Sequence, residues 1–402
     1  MKDLFRRDDP FIRNAGWNFS AAAVPLVSTV FSIGIFYRNI SGETLSQLLL
    51  YYAVITAFTV SDFGIGRIAC TKILDSNGSG LPTITTNAFV ASIFLSLFLL
   101  LVAFFFVFCF FGGTPLDSIL VSISVGATCV FNGVKGMLDG FEKFRELFKY
   151  KVFQSAAIYL VPAALSYFTS EIAMFLSVIA LLRLSVAAYI YVCEIDRLTS
   201  FSLISQSELG DYVRYGKWAF WSNGVSILLS YADRFIVVKL VGGEQSAGYL
   251  SVVDLVSRSS VVTGSVLQAG YKKLVSMNRY VPSSLLLSIA GFFIFCFMGF
   301  AMLGDYFIVV WLGEGNAYIK QIFLVLIAST AFNSMAQVCH YSMLAKYNQR
   351  RIALVHTVEV VVFLPVAYIL VETYGVLGGA IALLVRNLFD FCALRILEVR
   401  YN

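Results

Sequence analysis

Apolar runs of about 20 residues, the length at which a helix crosses a hydrocarbon core, recur from one end of this 402-residue chain to the other. Backbone polar groups find no water in that core, so each run must satisfy its own hydrogen bonds as a helix. Composition agrees. The chain is 59% hydrophobic and 13% charged, whereas a soluble domain would be nearer a quarter charged. The expected spans are about 14–37, 44–64, 85–111, 116–134, 152–169 and 171–193 in the first half. Those of the second half are about 214–238, 246–270, 282–303, 318–341, 352–371 and 375–395. The fold class is therefore an all-α polytopic membrane protein of about 12 transmembrane helices. The start, "MKDLFRRDDPFIRNAGWNF", breaks its apolar character with Asp, Pro and Asn. It is expected to be kept as the first span rather than cleaved as a signal peptide.

Basic residues orient the spans. Twenty-two Lys and Arg fall in the loops and ends on one side, and three (Arg38, Lys239 and Lys320) on the other, with four arginines left inside spans. By the positive-inside rule the rich side is cytoplasmic, and both termini face it.

The sequence also repeats. At a shift of 201 residues "RNAGW" (13–17) lies over "RYGKW" (214–218), and "YRNISGETLSQLL" (37–49) over "VKLVGGEQSAGYL" (238–250). An even number of spans separates the copies, so the repeats are parallel. Parallel six-plus-six repeats predict two lobes, 1–197 and 214–402, joined by a cytoplasmic linker at 198–213. The substrate path is then expected in a central cavity between the lobes, near the midplane.

Several chemistries find no support. The seven cysteines lie singly, without the spacing of a metal site or disulfide framework. Two histidines are too few for a His-rich site, and no phosphate-binding loop is present: "GDYVRYGKW" (210–218) has the wrong spacing. No cofactor, metal or nucleic-acid partner is expected, and transport would draw on an ion gradient, H⁺ or Na⁺, or on a partner.

What remains is charge inside the membrane: Arg183, Asp233, Arg234, Asp254, Arg258, Glu359, Arg386 and Asp390. Ionisable side chains in hydrocarbon are costly and tend to mark pathways and relays. Asp254/Arg258 and Arg386/Asp390 are four apart, on one helix face and able to pair. Asp233 and Arg234 are adjacent, point about 100° apart, and are expected to meet partners on other helices. Arginine suits phosphate because it is always charged and binds it bidentately. Arg183, Arg234, Arg258 and Arg386 are therefore candidate contacts for a phosphate or acidic sugar. Glu359, Asp233, Asp254 and Asp390 are candidates for ion coupling or for holding the arginines in place. Asn14, Asn18, Asn223 and Asp62 are candidate polar lining, with interhelical hydrogen bonding as their plainer role.

Several stretches resemble a known group in the same order. "YADRFIVVKLVGGEQSAGYLSVVDLVSR" (231–258), "SDFGIGRIACTKIL" (61–74), "NGVKGMLDGFEKFRELFKYKV" (132–152), "WLGEGNAYIKQIFLVL" (311–326) and "YGVLGGAIALLVRN" (374–387) resemble the Wzx-type O-antigen and polysaccharide-repeat flippases. Those belong to the MATE-like MOP exporter superfamily. "LQAGYKKL" (267–274) departs from them, lacking a Pro often found before the basic turn. The resemblance implies two six-helix lobes around a V-shaped cavity and alternating access. It also implies an undecaprenyl-diphosphate-linked oligosaccharide as substrate, a glycan polymerase as a possible partner, and a monomer. Two alternatives stay open: a multidrug or cation exporter of the same superfamily, and a polytopic glycan polymerase. The latter usually carries a large outer loop, whereas the longest one here, about 304–317, is short.

Overall fold

The computed structural model describes residues 10–60, 64–76, 80–190, 221, 224–225, 228–269, 283–313, 315–345 and 349–400. Their regular structure is helical throughout: α1 (Pro10–Asn39), α2 (Gly42–Val60), α3 (Ile65–Asp75), α4 (Leu81–Phe111), α5 (Pro115–Gly140), α6 (Phe144–Leu165), α7 (Ile172–Ile190), α8 (228–240), α9 (Gly243–Ala269), α10 (Ser283–Leu312), α11 (Ala317–Ala345) and α12 (Gln349–Arg400). Seven stretches are long and apolar enough to cross a membrane. One of them, in α12, contains both of the last two expected spans, folded against each other at Gly375, whose φ of 58° and ψ of −139° suit a residue without a side chain. Helices α6 and α9 are diluted by charge, α9 through Glu244, Asp254 and Arg258.

The repeat is visible in the helix boundaries. Helices α2 and α9 start at Gly42 and Gly243, α4 and α10 at Leu81 and Ser283, α5 and α11 at Pro115 and Ala317. Each pair is offset by 201 or 202 residues. At these repeat-related starts Gly243 turns the chain at φ 59°, and a Cβ on Gly42 would press on Glu244 at 2.9 Å.

The chain divides into two compact units, residues 51–227 and residues 1–50 with 228–402. In the first, α4 has its Phe-rich face outward and its small residues inward. Phe94, Phe98, Phe105 and Phe110 are exposed, while Ser92, Ser96 and Ala103 are buried. Lipid is as apolar as Phe, so burying Phe gains little there, and close packing through small residues holds the helices together instead. Ser96 donates to the Gly126 carbonyl of α5 at 2.8 Å. Gly133 of α5 lies against Ser92, and a Cβ on Gly136 would stand 2.2 Å from Gly66 of α3.

The second span is expected to run to residue 64, and no further span is expected before residue 85. The structure corrects this. Helix α2 ends at Val60, and α3 follows after Gly64, which sits at φ 74°. Ile65, Ala69 and Ile73 recur every four residues along α3 and are buried against Phe89, Val134 and Met137. In α6, Pro162 has no N–H to offer the carbonyl of Ile158. The Tyr52 hydroxyl fills that place, donating to the Ile158 oxygen at 2.9 Å, with its ring stacked on Tyr159.

In the other unit, α1 packs on α9 and α10, α11 on α10 and on both limbs of α12. The Trp311 indole at the end of α10 donates to the Val30 carbonyl of α1 at 2.7 Å and lies against Gly34. Arg38, in the last turn of α1, donates to the Val310 and Trp311 carbonyls. Those are terminal carbonyls of α10, where the helix dipole favours a cation. Ser46 of α2 and Ser246 of α9 share a hydrogen bond of 2.7 Å.

Candidate functional site: buried charges of helices α8, α9 and α12

Seven of the eight intramembrane charges fall in one unit, on α8, α9 and the two limbs of α12. Adjacent residues on a helix diverge, and Asp233 and Arg234 do so as expected. Asp233 is fully buried and accepts a hydrogen bond from the Tyr249 hydroxyl of α9 at 2.7 Å. Arg234 reaches a different part of α9: it stands 3.5 Å from Asp254 and donates to the Ser257 hydroxyl at 3.2 Å. Its guanidinium also lies 4.4 Å from the Tyr231 ring centre, a cation–π contact.

Asp254 serves two cations. Besides Arg234 it holds Arg258, one turn along α9, at 2.9 Å. The i, i+4 pairing expected from sequence is thus formed, and a single carboxylate bridges two guanidinium groups. Arg258 is the more accessible of the two, its side chain 15% exposed against 4%.

The second expected pairing, Arg386 with Asp390, is replaced. Arg386 crosses to the other limb of α12 and donates to Glu359 at 2.8 Å, with a further bond to the Leu229 carbonyl of α8 at 3.2 Å. Spacing along one helix permits the i, i+4 pair, but the two limbs packed side by side offer Arg386 a carboxylate and a carbonyl together. Asp390 faces His356 instead, 3.7 Å from its Nε2. His356 stacks on His340 of α11, ring centres 5.8 Å apart and planes within 7°.

His356, Glu359 and Asp390 are all buried, and one polar atom from each lies within 4.8 Å of the others, close enough to enclose one cation. A count of two histidines gives no hint of His356 in this cluster. A signal was available: His356 precedes Glu359 by three positions and so shares its helix face.

In the other unit, Arg183 of α7 donates to the Thr128 hydroxyl of α5. The four candidate arginines are therefore all engaged by protein groups. Of the candidate lining, Asn14 and Asn18 lie on α1 with side chains outside the described residues, as are Asp62 and Asn223 entirely.

Comparison with known proteins fits this architecture. A protein of Shigella flexneri named for O-antigen transport is 24% identical over 419 residues, spanning 97% of this chain and 98% of its own. Among solved structures, the outward-facing form of a multidrug-resistance MATE transporter of the MOP superfamily superposes with a TM-score of 0.68. Its identity is 14%, and 98% of this chain and 96% of that one are covered. The eukaryotic MATE transporter AtDTX14 gives 0.69 at 15% identity, covering 98% and 97%. No protein-family profile matches the chain.

Proposed function

We propose that this chain, a non-enzymatic membrane transporter built on the MOP-exporter fold, is a flippase for a lipid-linked glycan. Its substrate is an undecaprenyl-diphosphate-linked oligosaccharide, an O-antigen or related surface unit, moved from the cytoplasmic to the outer leaflet of the inner membrane. The observation that carries this reading is the end-to-end similarity to a protein named for O-antigen transport. Both termini face the cytoplasm, and the working unit is a monomer of two lobes, 1–197 and 214–402, that alternate access around a central cavity. The isoprenoid tail stays in lipid while the head crosses through a water-filled cavity, whose fixed cations remove most of the cost of desolvating a diphosphate.

Arg234 and Arg258 are the first candidates for the diphosphate. Two guanidinium groups share one Asp254 carboxylate, so phosphate oxygens can take one of them without stripping the other of its partner. Arg386 has a weaker claim, being locked to Glu359, and Arg183 lies apart in the other unit, bonded to Thr128. With no nucleotide-binding motif in the chain, an ion gradient supplies the work, and the buried acids are where the ion would act.

The test is deletion of the gene, with leaflet-resolved labelling of lipid-linked oligosaccharide and a panel of drug susceptibilities. Accumulation in the cytoplasmic leaflet with loss of surface glycan is expected. Intact surface glycan with new sensitivity to cationic drugs would overturn the reading in favour of a multidrug exporter. The excess of acids over arginines in this unit is the observation that favours that second reading.

A further inference from the structure

We propose that His356, Glu359 and Asp390 form the proton site of this transporter, with His356 as the group that carries the proton. This deepens the reading above, since the ion's identity matters only if the chain is a gradient-driven transporter.

Charge balance is the first argument. Among the described residues the spans of this unit hold the buried Asp233, Asp254, Glu359 and Asp390 with the buried Arg234 and the partly buried Arg258 and Arg386. With neutral histidines these sum to one net negative charge. Among the described residues Arg234 and Arg258 balance Asp254 and Asp233, while Glu359 and Asp390 share Arg386, so the deficit falls on the cluster. A buried charge without a counter-charge is costly, so the site favours uptake of one positive charge.

The second argument is geometry. Glu359 is 2% exposed and its Oε2 accepts no hydrogen bond among the described residues; the same holds for Asp390 Oδ1. Both carboxylates converge on the His356 side of the fold, where Asp390 Oδ1 lies 3.7 Å from the imidazole Nε2. A proton on His356 converts that approach into an ion pair and leaves the cluster neutral.

Third, the chemistry selects a proton over other cations. Hard cations take oxygen ligands, and imidazole is a poor donor to them. A divalent transition ion would overshoot, leaving one net positive charge beside Arg386. Imidazole ordinarily titrates between pH 5 and 8, and buried Asp, Glu and His commonly form relays in pumps.

The groups that face His356 are known on each neighbouring helix. Helix α11 contributes His340, stacked on it, and the nearby Cys339. Helix α12 contributes Arg386, Glu359 and Asp390, with the Arg395–Glu398 pair further along. Beyond Arg386 lie Asp233 of α8 and its partner Tyr249 of α9. Two stacked imidazoles do not both charge readily, so one proton enters, not two. Protonation also ties the first limb of α12 to the second, the element-level change through which a proton can bias conformation.

The chain has two histidines, which makes the test direct. The full-length protein, labelled at histidine with ¹⁵N and ¹³C, is titrated by NMR in detergent micelles, with His340→Gln used to assign the signals. His356 is expected to titrate within pH 5–8, and Asp390→Asn to lower its midpoint by about one pH unit or more. Sodium or zinc chloride should leave the midpoint in place. A His356 that stays neutral across this range, or a midpoint moved by sodium or zinc but not by Asp390→Asn, would overturn the proposal.

Cells expressing His356→Gln at normal protein level should lose glycan export, and normal export by that variant would remove the coupling role. If deleting the gene spares the surface glycan while His356 titrates as described, the flippase reading falls and the proton site stands.

Discussion

At the scale of single residues, what a buried charge can tolerate depends on how many partners its neighbour keeps. Replacing Arg234 with Ala leaves Asp254 still held by Arg258 at 2.9 Å, so the protein should accumulate normally. Glycan export should nevertheless be lost, measured as surface glycan per unit of transporter; full export by this variant would remove Arg234 from the substrate path. Replacing Arg386 with Met is different, because Glu359 then stays buried without the arginine that pairs with it. Removing one member of such a pair costs about 3–5 kcal/mol, visible as a large fall in thermal unfolding temperature in detergent. Adding Glu359→Gln should recover much of it, since a neutral amide tolerates burial better than a bare carboxylate. These contrasts also show what sequence can and cannot disclose. The Asp254–Arg258 pair follows from spacing on one helix. The Arg386–Glu359 pair joins positions 27 apart across a fold at Gly375, and no local pattern encodes it. His356 lay between: its spacing from Glu359 was readable, but its partner Asp390 comes from the other limb.

At the scale of elements, small residues set how closely helices approach. A side chain on Gly136 would meet the Gly66 backbone of α3 at 2.2 Å, and backbone cannot move aside as a flexible side chain can. Gly136→Val should therefore destabilise the protein by several kcal/mol and cut its yield, whereas Gly291→Val, with open space around it, should accumulate as wild type. Equal yields would contradict the packing of α3 on α5. Helix α3 shows how an element escapes a search for spans: Ile65, Ala69 and Ile73 carry a helical period, yet eleven residues are too few to cross a membrane. The outer starts of α2 and α9 give a second element-scale prediction. Ser46 and Ser246 touch at 2.7 Å and belong to different lobes of the proposed transporter. If those lobes part during transport, a Ser46→Cys/Ser246→Cys pair should stop export when oxidised and restore it when reduced. Undiminished export with the disulfide fully formed would mean that this contact never opens.

At the scale of the molecule, the internal repeat and the span count were legible because both are written in hydropathy and spacing. The helix starts keep a 201- to 202-residue offset even though the charges do not: one intramembrane charge, Arg183, lies in the first half and seven in the second. Shape has been kept while chemistry has diverged. The substrate is less legible, since a diphosphate and an acidic sugar ask for the same arginines, and the arginines here are satisfied internally. The measurement that bears most directly on the central claim is flipping by the purified protein in proteoliposomes, with undecaprenyl-diphosphate oligosaccharide in one leaflet and an imposed pH gradient. The account predicts gradient-dependent transfer of the glycan head between leaflets, abolished by Arg234→Ala. Transfer no faster than in protein-free vesicles, with active protein shown by gradient-driven efflux of a cationic dye, would contradict it.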